Sequence, residues 1–283
     1  MTTFLAGVVA FTTIILILVS ALLLAKSWLV ARGMVSIVIN DDEEGRLRVT
    51  KGDSLLNALA GQGVFVPSAC GGRGSCGACK VAVTSGGGAV LATELPHLLR
   101  HEVLGRIRLA CQVKVKGDMH ITLPVDALAA REWRCRVRSN RNVATFIKEL
   151  VLELPTGESL PFQAGGYILL RCPPHRATYR EFDIDPAYHG RWEQTGIWRC
   201  CSQVTAAAHR SYSIANYPGE EGVVILNVRI APPPSDKPNA PPGIVSSYIF
   251  SLKAGDEVTI AGPFGEFFAK DSGAEMVFIG GGA

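Results

Sequence analysis

The N-terminal part of the chain is one long apolar run. From Phe4 to Ala25 no residue is charged, and this length is sufficient to cross a bilayer at about 20 residues per span. No Lys or Arg precedes the run and no small-x-small cleavage site follows it, so the pattern favours an anchor over residues 1–26 rather than a cleaved secretory signal. Lys26 and Arg32 follow the run. The positive-inside rule then predicts a single-pass protein with its N-terminus outside and its later domains in the cytoplasm.

After the apolar run, the pattern predicts a small α+β domain over residues 33–128. Alternating apolar and polar positions at 34–39 and 46–50 are typical of half-buried strands. Ser54 is a candidate N-cap for a short helix that stops at Gly61. Further strands are expected at 80–84 and within 106–123. Strands, one helix and strands again predict an α+β fold of the β-grasp type.

A second, all-β domain is predicted over residues 129–272. Its strand-like runs have the spacing of an antiparallel barrel. Residues 175–208 show no clean periodicity and are interpreted as an insertion, and the Pro-rich residues 232–242 predict an extended loop. The predicted strands lie at 133–140, 146–155, 166–172, 211–217, 223–230 and 257–264.

Composition narrows the possible chemistry. Hydrophobic residues make up 48% of the chain and the mean hydropathy is +0.23, which the N-terminal run largely explains. The net charge is +3 with the charges dispersed, so there is no basic stripe and nucleic acid is not expected as a partner. In a reducing cytoplasm the eight cysteines indicate metal sites or thiols rather than disulfides.

Four cysteines form a pattern that predicts an iron–sulfur cluster. Cys70, Cys76 and Cys79 lie in CGGRGSCGAC, and Cys111 follows in RLACQV. Thiolates are soft ligands that select iron–sulfur clusters or zinc. The four glycines of this loop let the backbone wrap closely and direct its N–H groups at the sulfurs. The spacing resembles the plant-type ferredoxin pattern with one additional residue between the first two cysteines, which predicts a [2Fe-2S] ferredoxin-like domain.

Other interpretations of the cysteines remain. Structural zinc normally uses two C-x2-C pairs and only one is present, while unconnected thiols are the other alternative. Cys135 and Cys172 lie in strand-like segments and are expected to be buried thiols, whereas Cys200 and Cys201 lie in the insertion.

Two short motifs predict a flavin site. RSYS at 210–213 resembles the RxYS motif of the ferredoxin–NADP reductase superfamily, and GIVS at 243–246 resembles its GxxS phosphate-binding turn. Arginine can pair with a phosphate, tyrosine can lie against the isoalloxazine ring, and serine can hydrogen-bond its N5 edge. A Gly–Ser turn at a helix start offers N–H groups to a pyrophosphate, which favours FAD. Candidate FAD-binding residues are Arg210, Tyr212, Ser213, Gly243, Ser246 and Ser247, and Tyr212 and Ser213 are also the candidate catalytic residues.

The last residues resemble the start of a nicotinamide domain. A strand-like run from Met276 to Ile279 precedes Gly280, Gly281 and Gly282, as in the first strand and glycine turn of an α/β domain that binds NADH. Residues 273–283 are therefore expected to begin such a domain. Because the chain stops within the glycine turn, we expect these 283 residues alone to oxidise NADH only slowly.

The combination resembles one family, the F subunits of the sodium-translocating NADH:quinone oxidoreductases. The resemblance covers the whole chain and rests on the apolar run, the cysteine loop, RSYSIANYP, LNVRIAPPP, PPGIVSSYIFSLKAGD and GPFGEFFAKD. It implies that NADH reduces FAD, that FAD passes single electrons to a [2Fe-2S] cluster, and that membrane subunits then reduce ubiquinone while sodium is exported. It also implies a location in the bacterial inner membrane.

Two other functions fit part of the pattern. A soluble reductase component of an oxygenase system would share the cluster and flavin domains, but the apolar run and the insertion argue against it. A membrane-tethered flavin and iron–sulfur electron carrier without its own NADH site is the other alternative.

Overall fold

A computed structural model describes most of the chain, namely residues 2–29, 33–68, 70–123, 130–234, 236–265, 268–269, 272–273 and 275–277. The predicted nicotinamide-domain residues Gly280, Gly281 and Gly282 lie outside the described residues. Helix α1 covers Thr2–Leu29, a range that includes most of the predicted anchor. Over the described residues, we find no helix with both the length and the apolarity needed to span a membrane.

The remaining described helices are α2 (Leu55–Ala60), α3 (Arg100–Leu104), α4 (Pro186–Thr195) and α5 (Ile244–Ser251). The described strands are β1 (Met34–Ile39), β2 (Asp42–Thr50), β3 (Lys80–Ser85), β4 (Ile107–Leu109), β5 (Met119–Thr122), β6 (Arg131–Ala144), β7 (Ile147–Glu153), β8 (Tyr167–Cys172), β9 (His175–Thr178), β10 (Cys201–Val204), β11 (Ala208–Ser213), β12 (Val223–Arg229) and β13 (Glu257–Phe264).

The first sheet has five strands in the order β2-β1-β5-β3-β4. Strands β1 and β5 are parallel and the other pairs are antiparallel. Helix α2 packs into the core of this sheet through Leu55 and Leu59, both fully buried. It begins where the sequence predicts, because the Ser54 hydroxyl accepts a hydrogen bond from the Asn57 N–H at 3.2 Å. The predicted α+β arrangement is confirmed for residues 34–122.

The second sheet has six antiparallel strands in the order β11-β8-β13-β6-β7-β12. Its strands alternate buried and exposed positions, as β7 and β12 show most regularly. Buried side chains from this sheet and from α5 form one core, which includes Leu150, Ile168, Val224 and Ile249. The predicted strands are present with one correction: β11 covers Ala208–Ser213, so it overlaps the predicted run at 211–217 only in its first three residues.

The insertion is folded, which its sequence pattern did not indicate. Strands β9 and β10 pair with each other and flank α4. A separate aromatic core contains Tyr179 and Trp192, and Phe250 of α5 joins it. The hydroxyl of Tyr179 is 2.9 Å from the Ser247 hydroxyl of α5. This hydrogen bond links the insertion core to the domain that contains the second sheet. Strands of four residues are too short to show a period, which is why the pattern indicated an insertion but no strands within it.

Candidate functional site

The four cysteines of the predicted cluster are brought together at one edge of the first sheet. Cys70, Cys76 and Cys79 lie in the loop between α2 and β3, and Cys111 follows β4. The thiols of Cys79 and Cys111 share a hydrogen bond, as do those of Cys70 and Cys76. The backbone closes the loop onto β4, because the Ala110 N–H donates to the Cys79 carbonyl at 2.8 Å.

Glycines allow the cysteine loop to take its path. Gly71, Gly72, Gly74 and Gly77 all have positive φ, at 64°, 87°, 77° and 70°, a region that residues with a Cβ rarely occupy. A Cβ on Gly77 would also press against His97. The resulting path directs backbone N–H groups at sulfur. The N–H groups of Cys70 and Ala78 lie 3.4 and 3.5 Å from Cys76 Sγ.

The electrostatics of the site favour the thiolates of Cys70 and Cys111. Burial would raise the pKa of Cys70, but hydrogen bonds from the backbone of Ser75 and from Cys76 lower it to about 6. The hydrogen bond between Cys79 and Cys111 lowers the pKa of Cys111 to about 6 and raises that of Cys79. This donor set suits an iron–sulfur cluster, whose ligands are thiolates. Within the described ranges, no three His, Cys, Asp or Glu side chains are grouped closely enough to hold a single metal ion.

A buried ion pair supports the segment that carries Cys111. Glu94 and Arg108 pair at 2.6 Å, with side-chain exposures of 0% and 5%. The Glu94 carboxylate also accepts the N–H of Leu109 at 3.0 Å. The pair therefore fixes β4 two residues before Cys111. Sequence patterns did not reveal this pair, since its two members are fourteen positions apart and belong to different elements.

The arginine of the RSYS motif reaches the cysteine loop. Arg210 is half-buried on β11 and donates to the Gly71 carbonyl at 2.9 Å and to the His209 carbonyl at 2.7 Å. A Cβ on Gly71 would collide with the guanidinium. Burial and the nearby Arg73 lower the pKa of Arg210, and no carboxylate among the described residues pairs with it. An anionic group such as a phosphate would compensate this charge.

Tyr212 and Ser213 lie further along the same strand. Tyr212 is half-buried and packs against the core of the second sheet. Burial raises its pKa, so the phenol is neutral at physiological pH. Ser213 is exposed at the end of the strand. An aromatic ring followed by an accessible hydroxyl is a suitable surface for a flavin ring.

The predicted phosphate-binding turn begins α5, which packs beside β11. Gly243 is the N-cap, and a Cβ there would collide with Ala231 and Ser246, so the close approach requires glycine. The hydroxyls of Ser246 and Ser247 donate to the Gly243 carbonyl at 3.3 and 2.6 Å. The Ser247 N–H also donates to this carbonyl. Both serine hydroxyls are thus engaged inside the protein, and Ser247 has a packing role.

The other four cysteines are separate from this site. Cys135 and Cys172 are buried at 1% and 0% exposure, as predicted, and burial raises the pKa of each thiol to about 12. Cys172 lies 3.2 Å from His175 Nδ1. In the insertion, Cys200 is half-buried and Cys201 is exposed.

The cysteine loop and the RSYS strand meet across a cleft of about 170 Å³. Asn57 of α2 and Phe65, which follows this helix, line one wall of the cleft. His209 and Arg210 of β11 line the other. His209 meets the Phe65 ring edge-on, with the ring centroids 6.2 Å apart. The roles of Phe65 and His209 were not predicted, since neither residue belongs to a recognisable motif.

Comparison with known proteins identifies both units. Residues 38–116 match the 2Fe-2S iron-sulfur cluster binding domain family, and residues 198–268 match the oxidoreductase FAD-binding domain family. The chain therefore contains a ferredoxin-type domain and a flavin domain of the reductase type. A solved ferredoxin reductase of carbazole 1,9a-dioxygenase covers 86% of this chain and is itself covered to 61%, at 18% identity and a TM-score of 0.46.

Close relatives span nearly the whole chain. The F subunit of the Na(+)-translocating NADH-quinone reductase of Neisseria gonorrhoeae is 56% identical over 277 residues, which cover 98% of this chain and 68% of the relative. The corresponding protein of Idiomarina loihiensis is 55% identical over the same shares. The chain belongs to the family of Na(+)-translocating NADH-quinone reductase F subunits.

Proposed function

We propose that this chain is the electron-input subunit of a sodium-translocating NADH:quinone oxidoreductase. It takes electrons from NADH and delivers them, by way of FAD and a [2Fe-2S] cluster, towards ubiquinone, coupled to sodium export. The observation that carries this function is the contact between the two candidate sites. Arg210 of the flavin motif donates directly to Gly71 of the cysteine loop at 2.9 Å, so one chain holds both redox sites side by side.

The four loop cysteines are the ligands of the cluster. Cys70, Cys76, Cys79 and Cys111 converge, and hydrogen bonds favour the thiolate forms of Cys70 and Cys111. When bound, the cluster supplies one-electron transfer, and FAD supplies the exchange between two-electron and one-electron steps. The N–H groups around the sulfurs stabilise the negative charge of the cluster.

The flavin-binding residues lie on β11 and at the start of α5. The Arg210 guanidinium holds a phosphate, the Tyr212 ring lies against the flavin ring, and the Ser213 hydroxyl hydrogen-bonds its edge. The first turn of α5, from Ile244 to Ser246, offers backbone N–H groups to the pyrophosphate, while the N–H of Gly243 before it donates to the Ala231 carbonyl at 2.7 Å. Ser247 completes this turn from inside by holding the Gly243 carbonyl. Gly280, Gly281 and Gly282 contribute to binding NADH.

The chain is divided into four parts. The membrane anchor is residues 1–26 and the ferredoxin domain is 33–128. The FAD-binding domain is 129–272, with its insertion at 175–208, and the NADH-binding domain starts at 273–283.

The second sheet closes as a barrel. Two hydrogen bonds between its edges support closure: Ala215 N–H donates to the Ile225 carbonyl at 2.7 Å, and Ile225 N–H donates to Asn216 Oδ1 at 2.9 Å.

The chain works in the bacterial inner membrane with other subunits of the complex. The uncharged run from Phe4 to Ala25 supports the anchor, and Lys26 and Arg32 support an external N-terminus with the later domains in the cytoplasm. The names of the relatives, which are subunits of a sodium-translocating reductase, support the partnership.

Steady-state kinetics of the purified complex tests the function. We expect NADH oxidation and ubiquinone reduction that depend on sodium and on this chain. Tyr212→Ala should lower the FAD content, because a stacking surface worth about 1–3 kcal/mol is lost. Tyr217→Ala is the matched control, since Tyr217 is 66% exposed and should bind FAD normally. A complex that contains FAD and the cluster but oxidises NADH no faster than a complex without this chain would contradict the proposal.

A further inference from the structure

Phe65 is a buried aromatic residue that does not belong to the core of its own domain. It is only 4% exposed, yet its side chain packs with Leu169, Ala261 and Phe264 of the flavin domain. The next residue, Val66, points the other way into the core of the ferredoxin domain. Two successive side chains are therefore buried in two different domains.

The surface that receives Phe65 is the outer face of the second sheet. Ile168 and Leu170 of β8 point into the sheet core, so Leu169 between them points outward, but it is only 5% exposed. Ala261 pairs with Leu169 across β13 and β8 and is 2% exposed. We call Leu169, Ala261 and Phe264 the outer seat. An outward apolar row on a sheet is buried only if other residues cover it, and Phe65 covers this one with Ala60, Ala130 and Tyr167 packed beside it.

A short, stiff segment links Phe65 to the cluster loop. Only four residues separate Phe65 from Cys70, and one of them is Pro67, whose φ is fixed by its ring. Ser68 then binds the loop. Its carbonyl accepts the Gly71 N–H at 3.0 Å, and its hydroxyl accepts the Gly72 N–H at 2.9 Å. Displacement of Phe65 would thus be transmitted to the loop.

The same loop is held from the other side by the flavin motif. Arg210 donates to the Gly71 carbonyl at 2.9 Å, and His209 meets the Phe65 ring. The loop that carries Cys70 therefore contacts the flavin domain at two points. Phe65, just before the loop, packs on the outer seat, and Gly71 within the loop accepts a hydrogen bond from Arg210 of β11. Interfaces between domains of one chain commonly permit relative motion, so a specific seat determines how often the two sites are aligned.

We propose that Phe65 is a positioning residue that seats the ferredoxin domain on the flavin domain and so sets the rate of electron transfer between their two sites. This inference rests on the proposed electron-input function and adds a residue to it that lies in neither cofactor motif. Misplacement of a donor relative to an acceptor by a small distance is enough to lower a rate severalfold to a hundredfold.

The test uses the full chain in its complex, with Phe65→Ala on one side of the contact and Leu169→Ala on the other. We expect both variants to retain FAD and the cluster signal in electron paramagnetic resonance. The rate of cluster reduction by the reduced flavin should fall by about tenfold or more. Hydrogen–deuterium exchange should become faster in residues 64–72, and Phe65→Leu should restore part of the rate. Phe182→Ala, a buried aromatic of the insertion core, is the matched control and should transfer at the wild-type rate.

The double variant sharpens the result. Because Phe65→Ala and Leu169→Ala remove one shared contact, their combination should be no slower than either single variant. Wild-type transfer rates in Leu169→Ala, or fully additive losses in the double variant, would overturn the role of Phe65. If the wild-type protein itself transfers no electrons from flavin to cluster, the proposed function fails instead, so the two failures are distinguishable.

Discussion

At the scale of single residues, hydrogen bonds distinguish Cys70 and Cys111 from the buried thiols of Cys135 and Cys172. Cys70 and Cys111 each have a pKa of about 6, because hydrogen bonds favour the thiolate despite burial. Cys135 and Cys172 lie buried in strands of the second sheet, and burial raises their pKa to about 12. Sequence spacing alone predicts which four cysteines are cluster ligands, because the loop glycines mark a path on which backbone N–H groups can approach sulfur.

The assignment predicts different responses to substitution. Cys76→Ala should abolish the [2Fe-2S] signal in low-temperature electron paramagnetic resonance of the reduced protein. Cys76 is exposed, so its loss opens no cavity and the effect is one of ligation. Cys201→Ala is the matched control, since Cys201 is also exposed and should leave the signal intact. An unchanged [2Fe-2S] signal in Cys76→Ala would show that the ligand set is wrong.

The contact of Arg210 with Gly71 could not be predicted from the sequence. RSYS indicates what its arginine binds, but the contact joins residues 139 positions apart, and no local pattern encodes that separation. The same holds for Ser247, which the sequence suggested as a cofactor residue. Its fully buried hydroxyl instead binds Gly243 and Tyr179, because the insertion core packs against α5.

At the scale of elements, one ion pair fixes the region behind the cluster loop. Arg108 donates to the carbonyls of Gly87, Gly88 and Ala89 as well as to Glu94. The polar groups of this bend are thereby satisfied by one side chain. A buried charge that loses its partner is strongly destabilising, even where the intact pair contributes little.

Glu94→Gln should therefore lower the free energy of unfolding by about 3–5 kcal/mol, because the Arg108 charge would stay buried and unpaired. Thermal unfolding followed by circular dichroism measures this change. Glu43→Gln is the matched control, since the Glu43–Arg46 pair is exposed and such pairs contribute little. Equal unfolding midpoints for the two variants would contradict the role of the buried pair.

The same pair predicts a pH dependence. Burial would raise the pKa of Glu94, but the Arg108 hydrogen bond and the N–H groups of Leu91 and Leu109 hold it below its ordinary value. A carboxyl with a lowered folded-state pKa stabilises the protein above its unfolded pKa of about 4.3. This contribution is lost as the pH falls through the folded-state pKa. The wild-type midpoint should fall towards that of Glu94→Gln on acidification.

The sequence predicted best those elements whose own residues show a local pattern, such as a helix cap or a regular alternation of apolar and polar positions. Helix α2 has a capping serine, and β7 and β12 alternate regularly. Helix α3 and strands β9 and β10 are four or five residues long, too short for a period to be recognised. They are stabilised by tertiary contacts, so their existence depends on partners that are distant in the chain.

At the scale of the whole molecule, sequence could define two domains but not how they meet. Phe65 lies in the apolar run 64–66, which is consistent with burial but does not indicate which domain covers it. The sequence of the outer seat likewise indicates burial without indicating what covers it, since Leu169 belongs to the continuous apolar run of β8. Such a run is consistent with burial on both faces and does not identify the covering element.

Helix α1 contributes nothing to either core among the described residues. Phe4 and residues 6–22 are all exposed, and large side chains such as Phe4 and Leu22 are 77% and 68% exposed. An exposed apolar surface of this kind marks a contact with a membrane or another protein. Removal of the helix should therefore leave both domains folded.

The anchor proposal predicts where the shortened chain goes. A chain without residues 1–26 should stay in the supernatant after a high-salt wash and ultracentrifugation, while retaining FAD and the cluster. The full chain should sediment with membranes. Leu16→Arg in the full chain tests the same point by one substitution, because an arginine near the centre of a spanning helix costs about 2.5–3.5 kcal/mol of insertion. Leu16→Ala is its matched control and should stay with the membranes. If the shortened chain still sedimented with membranes, contacts outside residues 1–26 would hold it there, and the anchor would have to be assigned elsewhere.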